Sequence, residues 1–452
     1  MILTFFFTIL IIIIACSVSG SLSVFAFSIF LYIIGLLMCS KIKKCNRSQG
    51  YIVLNIVFSV ITLFAVFHYM DAFVDWQNFA QAGNDEYKFW LSSERHAHYP
   101  SISQICIESY TTYYDLVDTK GYVCYIGILA YLAEHFLDGN NLLLQIEGSV
   151  LFGVLTSIML YKIFLIYFSA RKSLKYTLLF SLCSIMFYYS FKYLRDIHIT
   201  FFYVLSLYVV LRKISVRGII ILLCNIIIVW QLRLEHGVFL IVFLTYYIFN
   251  AIKKNVLVTV LFFVIVAVIF LIYFIDVYDS IMNSMANYEV RSNLGDGLKE
   301  NSFGAFIYKF PSPIKEILLV INSQIQPFPS WHLLADCTNI YSVLVSLVEI
   351  VRGIFWFVIV SSIFIWLFAY KKLKKVPLNF KYLMLIVLVF LFANTSNMTE
   401  RRLICVYPMI FLLYVWLKEK VIQYKAYFTT KKHVVCLYIS LCLIYVVAKA
   451  FA

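Results

Sequence analysis

Charge is what this 452-residue chain has least of. Asp, Glu, Lys and Arg make up 13% of it, about half the share in a soluble globular domain, while 63% of its residues are hydrophobic. A soluble enzyme is therefore excluded. Glycine and proline are also scarce, at 15 and 7 residues, which argues against the Gly/Pro-broken mid-membrane segments of many transporters. The chain has no G-x-x-x-x-G-K-[ST] element, so no ATP-driven chemistry is indicated. Its eleven cysteines form no C-x-x-C pair and no Cys/His cluster at zinc-ligand spacing, and most lie inside apolar runs as small hydrophobes. Cys106 and Cys337, in two different polar loops, are left as a pair that an oxidising compartment would allow to join.

What is present is a series of apolar runs near the roughly 20-residue length of a bilayer-crossing helix. Thirteen spans are expected, at about 2–19, 21–40, 51–68, 141–169, 175–191, 197–211, 218–232, 237–252, 255–275, 353–370, 377–394, 403–417 and 433–451. The fold class is all-α, a polytopic transmembrane helical bundle in which residues 1–452 form one integral membrane domain. The first run has no basic n-region and reads as a retained anchor.

The formal net charge of +14 divides by side of the membrane. Short alternate connections hold 21 of the 37 bases, including Lys41–Arg47, Arg171–Lys175, Arg212–Arg217 and Lys371–Lys375. By the excess of Lys and Arg in cytoplasmic loops these connections are cytoplasmic, as is the N-terminus. Of the 23 acids only Glu419 falls on that side. The basic charge is mostly insertion signal and implies no nucleic-acid partner; the partner that it implies is the lipid bilayer. Polar mass collects instead in two large outer loops, 69–140 and 276–352, where function is expected. Within the first, 121–136 is apolar at helical spacing but interrupted by Glu134 and His135, and reads as a helix lying on or re-entering the membrane surface.

Several constellations on the outer side are suited to chemistry. Asp85 and Glu86, inside Asn84-Asp85-Glu86-Tyr87-Lys88-Phe89-Trp90 and preceded by Asp71 and Asp75, place carboxylates beside aromatic rings at the bilayer surface. Such groups can deprotonate a sugar hydroxyl or hold a divalent cation, while rings stack on a pyranose face. Tyr113-Tyr114-Asp115 precedes the surface helix. Two outer corners, one with Lys192, Arg195, Asp196 and His198 and one with Arg233, Glu235 and His236, set arginine beside acid and histidine; Glu400-Arg401-Arg402 forms a third. Ion pairs that pin adjacent helices are one reading of these corners. Recognition of phosphate or diphosphate by Arg195, Arg233, Arg401 and Arg402 is the other.

The run from Asp85-Glu86-x-x-x-Trp90 through Tyr113-Tyr114-Asp115 to Gly121 and Leu137-Asp138-Gly139 resembles the first outer loop of GT-C membrane glycosyltransferases. The Tyr193-Leu194-Arg195-Asp196, Arg233-Leu234-Glu235-His236-Gly237 and Glu400-Arg401-Arg402 corners, the last followed by Pro408, are similar to Wzy-type oligosaccharide repeat-unit polymerases. Thr119-Lys120 stand where the sugar-transferase pattern usually has a proline. The resemblance implies a bacterial inner-membrane enzyme that joins undecaprenyl-diphosphate-linked oligosaccharide repeat units into O-antigen or capsule on the periplasmic face. A chain-length regulator is an expected partner, and no cofactor is needed, a divalent cation being optional. Asp85 or Glu86, with Asp71 in reserve, would be the catalytic carboxylate, and the arginines would hold the leaving diphosphate. Asp196, His198, Glu235, His236 and Asp115 would support them. Two alternatives stand beside this: a GT-C enzyme moving one sugar from a polyprenyl-phosphate donor, and a non-enzymatic flippase or transporter.

Overall fold

The computed structural model describes residues 2–81, 84–111, 119–252, 307, 310–311, 313–325, 328, 334, 337, 339–393 and 400–450. Asp115 with its two tyrosines, the expected span at 255–275, Trp331-His332, Pro327, Pro329 and the Asn-x-Ser/Thr sequences at 394–399 lie outside these residues. Among the described residues every regular element is helical and no strand occurs.

Two compact units are formed, the first from described residues up to 182 and from 186 to 252, the second from 183–185 and the described residues beyond 306. In the first, α1 (Ile2–Ser19) and α2 (Leu22–Ser40) make an apolar hairpin beside α3 (Lys44–Val74) and α8 (Leu142–Tyr167). Between α3 and α8 lie α4 (Trp76–Phe79), α5 (Asp85–Ala97), α6 (Ile102–Thr111) and α7 (Lys120–Phe136). Then follow α9 (Ala170–Cys183), α10 (Ile185–Ser190), α11 (Asp196–Val210), α12 (Val216–Leu232) and α13 (Leu234–Ile252). α8 is the hub, packed on α2, α3 and α11, with 72% of its apolar window buried, against 22% for α1 and 33% for α2. The first hairpin thus turns its apolar side chains outward, as a lipid-facing hairpin does. Inside, hydroxyl and amide groups join the helices: Thr8 to Ser59 at 3.0 Å, Tyr32 to Asn55 at 2.8 Å and Asn225 to Ser206 at 2.9 Å. Interhelical hydrogen bonds of this kind stabilise association where lipid offers no hydrophobic drive.

Connections assigned to one side by charge meet at one end of this unit. The Asp138 carboxylate accepts from the backbone N–H groups of Leu22 and Ser23 and from the hydroxyls of Ser21 and Ser23, capping α2 from the far end of the first outer loop. Burial is the largest single effect and raises its carboxyl, but the bonds from Ser23, Leu22 and Ser21 together outweigh it and hold the group below the usual range. At the basic end the Tyr161 hydroxyl donates to the Asn46 carbonyl, and the Tyr247 hydroxyl to that of Lys213, both at 3.0 Å.

The second unit holds α14 (Ile314–Ile325), α15 (Ile340–Phe364, continued by a π turn to Ala369), α16 (Leu378–Ala393), α17 (Glu400–Leu403), α18 (Tyr407–Lys420) and α19 (Tyr424–Ala450). α15 packs on α18 and α19, with Trp356 stacked on Tyr407 at 4.0 Å and the Trp366 indole donating to Thr430.

Among the described residues six helices are long and apolar enough to cross a membrane: α1, α2, α3, α8, α15 with its π turn, and α19 over Tyr424–Val447. Residues 196–210, 216–232, 234–250 and 378–392 form shorter apolar helices. The chain is an all-α, multi-pass membrane protein. Several boundaries differ from the hydropathy reading. α15 begins at Ile340 rather than 353, because Arg352 and Glu349 pair on adjacent turns of one helix and so ride within an apolar span. The 175–191 run divides at Ser184 into α9 and α10, and the 403–417 run starts as a short helix and a 3-10 turn before Pro408, which sits in the first turn of α18 where no backbone donor is needed.

Candidate functional site

Asp85 and Glu86 open α5, where Asn84 accepts the Glu86 N–H at 3.0 Å and the helix dipole favours acids. Asp85 is half-buried, whereas Glu86 turns inward. Its Oε2 accepts from the Tyr193 N–H at 2.9 Å and lies 2.7 Å from His68 Nε2; its Oε1 is 3.8 Å from Lys192 Nζ. Lys192 Nζ is in turn 3.4 Å from His68 Nδ1. Lys192 has only donors, so Nδ1 accepts and Nε2 carries the proton given to Glu86. Burial pushes the Glu86 carboxyl up, but His68, Lys192 and the two hydrogen bonds outweigh it and hold it at about 2. A cation shared by Glu86 and Asp85 would have to displace these donors. Asp71, one turn beyond His68 in α3, is half-buried near this corner.

The second corner lies two residues on. Arg195, Asp196 and His198 are buried at the start of α11, and Asp196 Oδ1 is 3.4 Å from Nη1 of buried Arg233. Arg233 is extended (φ −164°, ψ 120°), a one-residue break between α12 and α13 that turns the chain back. His236 is buried and its carbonyl accepts from Tyr203 at 3.3 Å; Glu235 is half-buried.

α7 joins the two corners. Tyr122 is 4.7 Å from Phe89 of α5, 6.3 Å from Tyr193 and 5.2 Å from the His198 ring, which also lies 4.2 Å from Phe152. Gly121 makes this docking feasible, since a Cβ there would stand 2.9 Å from the Gln231 carbonyl oxygen at the end of α12. The Tyr193 hydroxyl donates to Gln145, Gln145 to Asn140, and Asn140 to Glu94 of α5, at 3.2, 2.8 and 2.7 Å. Charged groups from residues 68, 86, 192–198 and 233 are thereby gathered at one end of the first unit.

Sequence reasoning missed His68, Tyr122 and Gln145. His68 had a signal, an ionisable residue within an apolar helix, but its partner is 18 residues away on another element. Arg401 and Arg402 are half-buried in the second unit. The apolar run at 121–136 forms the helix α7, which lies against α5, α6 and α12. Cys106 stands with its Sγ 3.2 Å from that of Cys124 in its own loop, and Cys337 Sγ lies 3.3 Å from the Ser346 hydroxyl. Among the described residues no group of three or more His, Cys, Asp or Glu is placed to hold a metal ion. No family model, curated protein or solved structure matches the chain.

Proposed function

We propose that the protein is a glycosyltransferase of the outer face of a bacterial inner membrane, polymerising undecaprenyl-diphosphate-linked oligosaccharide repeat units into surface polysaccharide. The observation that carries this reading is the convergence of Lys192, Arg195 and Arg233 at one end of a membrane-embedded helical unit, Lys192 beside Glu86 and Arg233 beside Asp196. Burying cations there is costly in free energy, and an anionic headgroup reaching that depth is the ligand that would use them.

In this mechanism Arg195 meets the diphosphate and Arg233, anchored by Asp196, lies behind it. The acceptor hydroxyl oxygen attacks the anomeric carbon of the donor and the carbon–oxygen bond to diphosphate breaks. Asp85 takes the hydroxyl proton. Glu86 is too weak a base at about 2 and acts as a positioning residue, fixing Lys192 and the Tyr193 backbone two residues before Arg195. Asp71 stands in reserve as base, and Arg401 and Arg402 are the candidate diphosphate-binding residues of the later arginine corner.

Reconstituted protein given a lipid-linked repeat unit should make a ladder of products on a gel. Asp85→Asn should slow chain growth by roughly 100-fold or more, the usual worth of a general base. Arg195→Ala should do likewise, with Arg195→Lys used in its place if the alanine protein does not insert. Long chains from both variants, inserted as wild type, would refute the assignment. Lipid scrambling without any product from the wild type would replace the enzyme with a transporter.

A further inference from the structure

We propose that Cys106 and Cys124 form a disulfide that staples α6 to α7 on the outer face. Both are half-buried, and their sulfurs stand 3.2 Å apart, so side-chain rotation must close about 1 Å to reach bonding distance. The backbones are held close for a reason. Gly127, one turn after Cys124 on α7, presents no side chain, and a Cβ there would lie 2.8 Å from Ile105 Cγ2 and 2.6 Å from His96 Nδ1. Ile105, the neighbour of Cys106, is thus packed directly on the α7 backbone. Loop charge assigns this region to the side opposite the basic connections, an oxidising compartment in bacteria. The inference rests on that side and not on the glycosyl-transfer reading.

The oxidant is a protein dithiol in its disulfide form. The Cys106 thiolate attacks one oxidant sulfur and gives a mixed disulfide; the Cys124 thiolate then attacks the Cys106 sulfur, releasing the oxidant as a dithiol. Two electrons and, by way of solvent, the two thiol protons pass to the oxidant, which leaves as the dithiol. The two thiols are interchangeable in this sequence of exchanges.

The test uses the full chain in its native membrane, quenched with acid, denatured and alkylated with a maleimide before and after reduction. Cys45, exposed in a basic connection, should label at once. Cys106 and Cys124 should label only after reduction, and digestion should yield their two peptides joined and two hydrogens lighter than the separate thiols. Cys106→Ser should make Cys124 reactive without reduction, and Cys124→Ser should do the same for Cys106. Labelling of both cysteines without reductant, a Cys106 linked to any other cysteine, or a Cys124 still blocked in the Cys106→Ser protein would each overturn the proposal.

Discussion

At Glu86 two opposing effects act on one carboxyl group: burial raises its affinity for protons, and His68, Lys192 and the Tyr193 N–H lower it further than burial raises it. Because the folded value, about 2, lies below the unfolded one near 4.5, the pair stabilises the fold above pH 4.5 and loses that stability as pH falls toward 2. The full effect is on the order of 3 kcal/mol. His96 of α5, held down to about 4 by burial and then by Arg95, adds a loss in the window from 6.5 to 4. Thermal unfolding in detergent should therefore fall in two stages on acidification, with Glu86→Gln removing the lower and His96→Gln the upper; unchanged profiles would contradict the geometry. Arg233→Ala leaves Asp196 buried beside an absent cation and should cost about 3–5 kcal/mol, whereas replacing both residues by apolar ones should recover much of that in an unfolding measurement. The charges at these positions were legible in the sequence because such residues are rare in apolar chains. Which acid meets which base was not, since Glu86 finds Lys192 across more than a hundred residues.

Among the elements, α7 shows most clearly what hydropathy reads and what it leaves open. Its apolar spacing reads as a helix, and α7 forms over Lys120–Phe136 with Glu134 and His135 in its last turn. That it docks between α5, α6 and the end of α12 depends on side chains being absent at chosen points, which no hydropathy scale registers. Gly121→Val should drive a side chain into the Gln231 carbonyl and destabilise by about 1–3 kcal/mol, with Gly121→Ala milder, as read by thermal unfolding. The shorter apolar helices follow the same logic. A 15-residue helix such as Asp196–Val210 spans about 22 Å, less than a hydrocarbon core of roughly 30 Å, so its buried first turn lies within reach of the bilayer edge. The 353–370 reading was too short at its start because Glu349 and Arg352 look like loop residues until they are seen to pair along one helix face.

At the scale of the molecule, alternation of basic and acidic connections predicts a two-sided protein, and reporter fusions give the check. A cytoplasmic reporter should be active after Ser169 or Ser215, and a periplasmic one after Tyr99 or Asn140; activity of one reporter at all four sites would sink the topology. Composition alone determined that the chain is a helical membrane protein, because transfer of residues between water and lipid is a property of each segment by itself; loop charge adds the sidedness that the fusions test. Only the tertiary structure decided that Glu86 serves as anchor for Lys192 and the Tyr193 backbone, that Arg233 is tied to Asp196 and that Cys106 faces Cys124. Those are matters of distance between residues remote in the chain, set by which helices pack and where a missing side chain lets backbones approach.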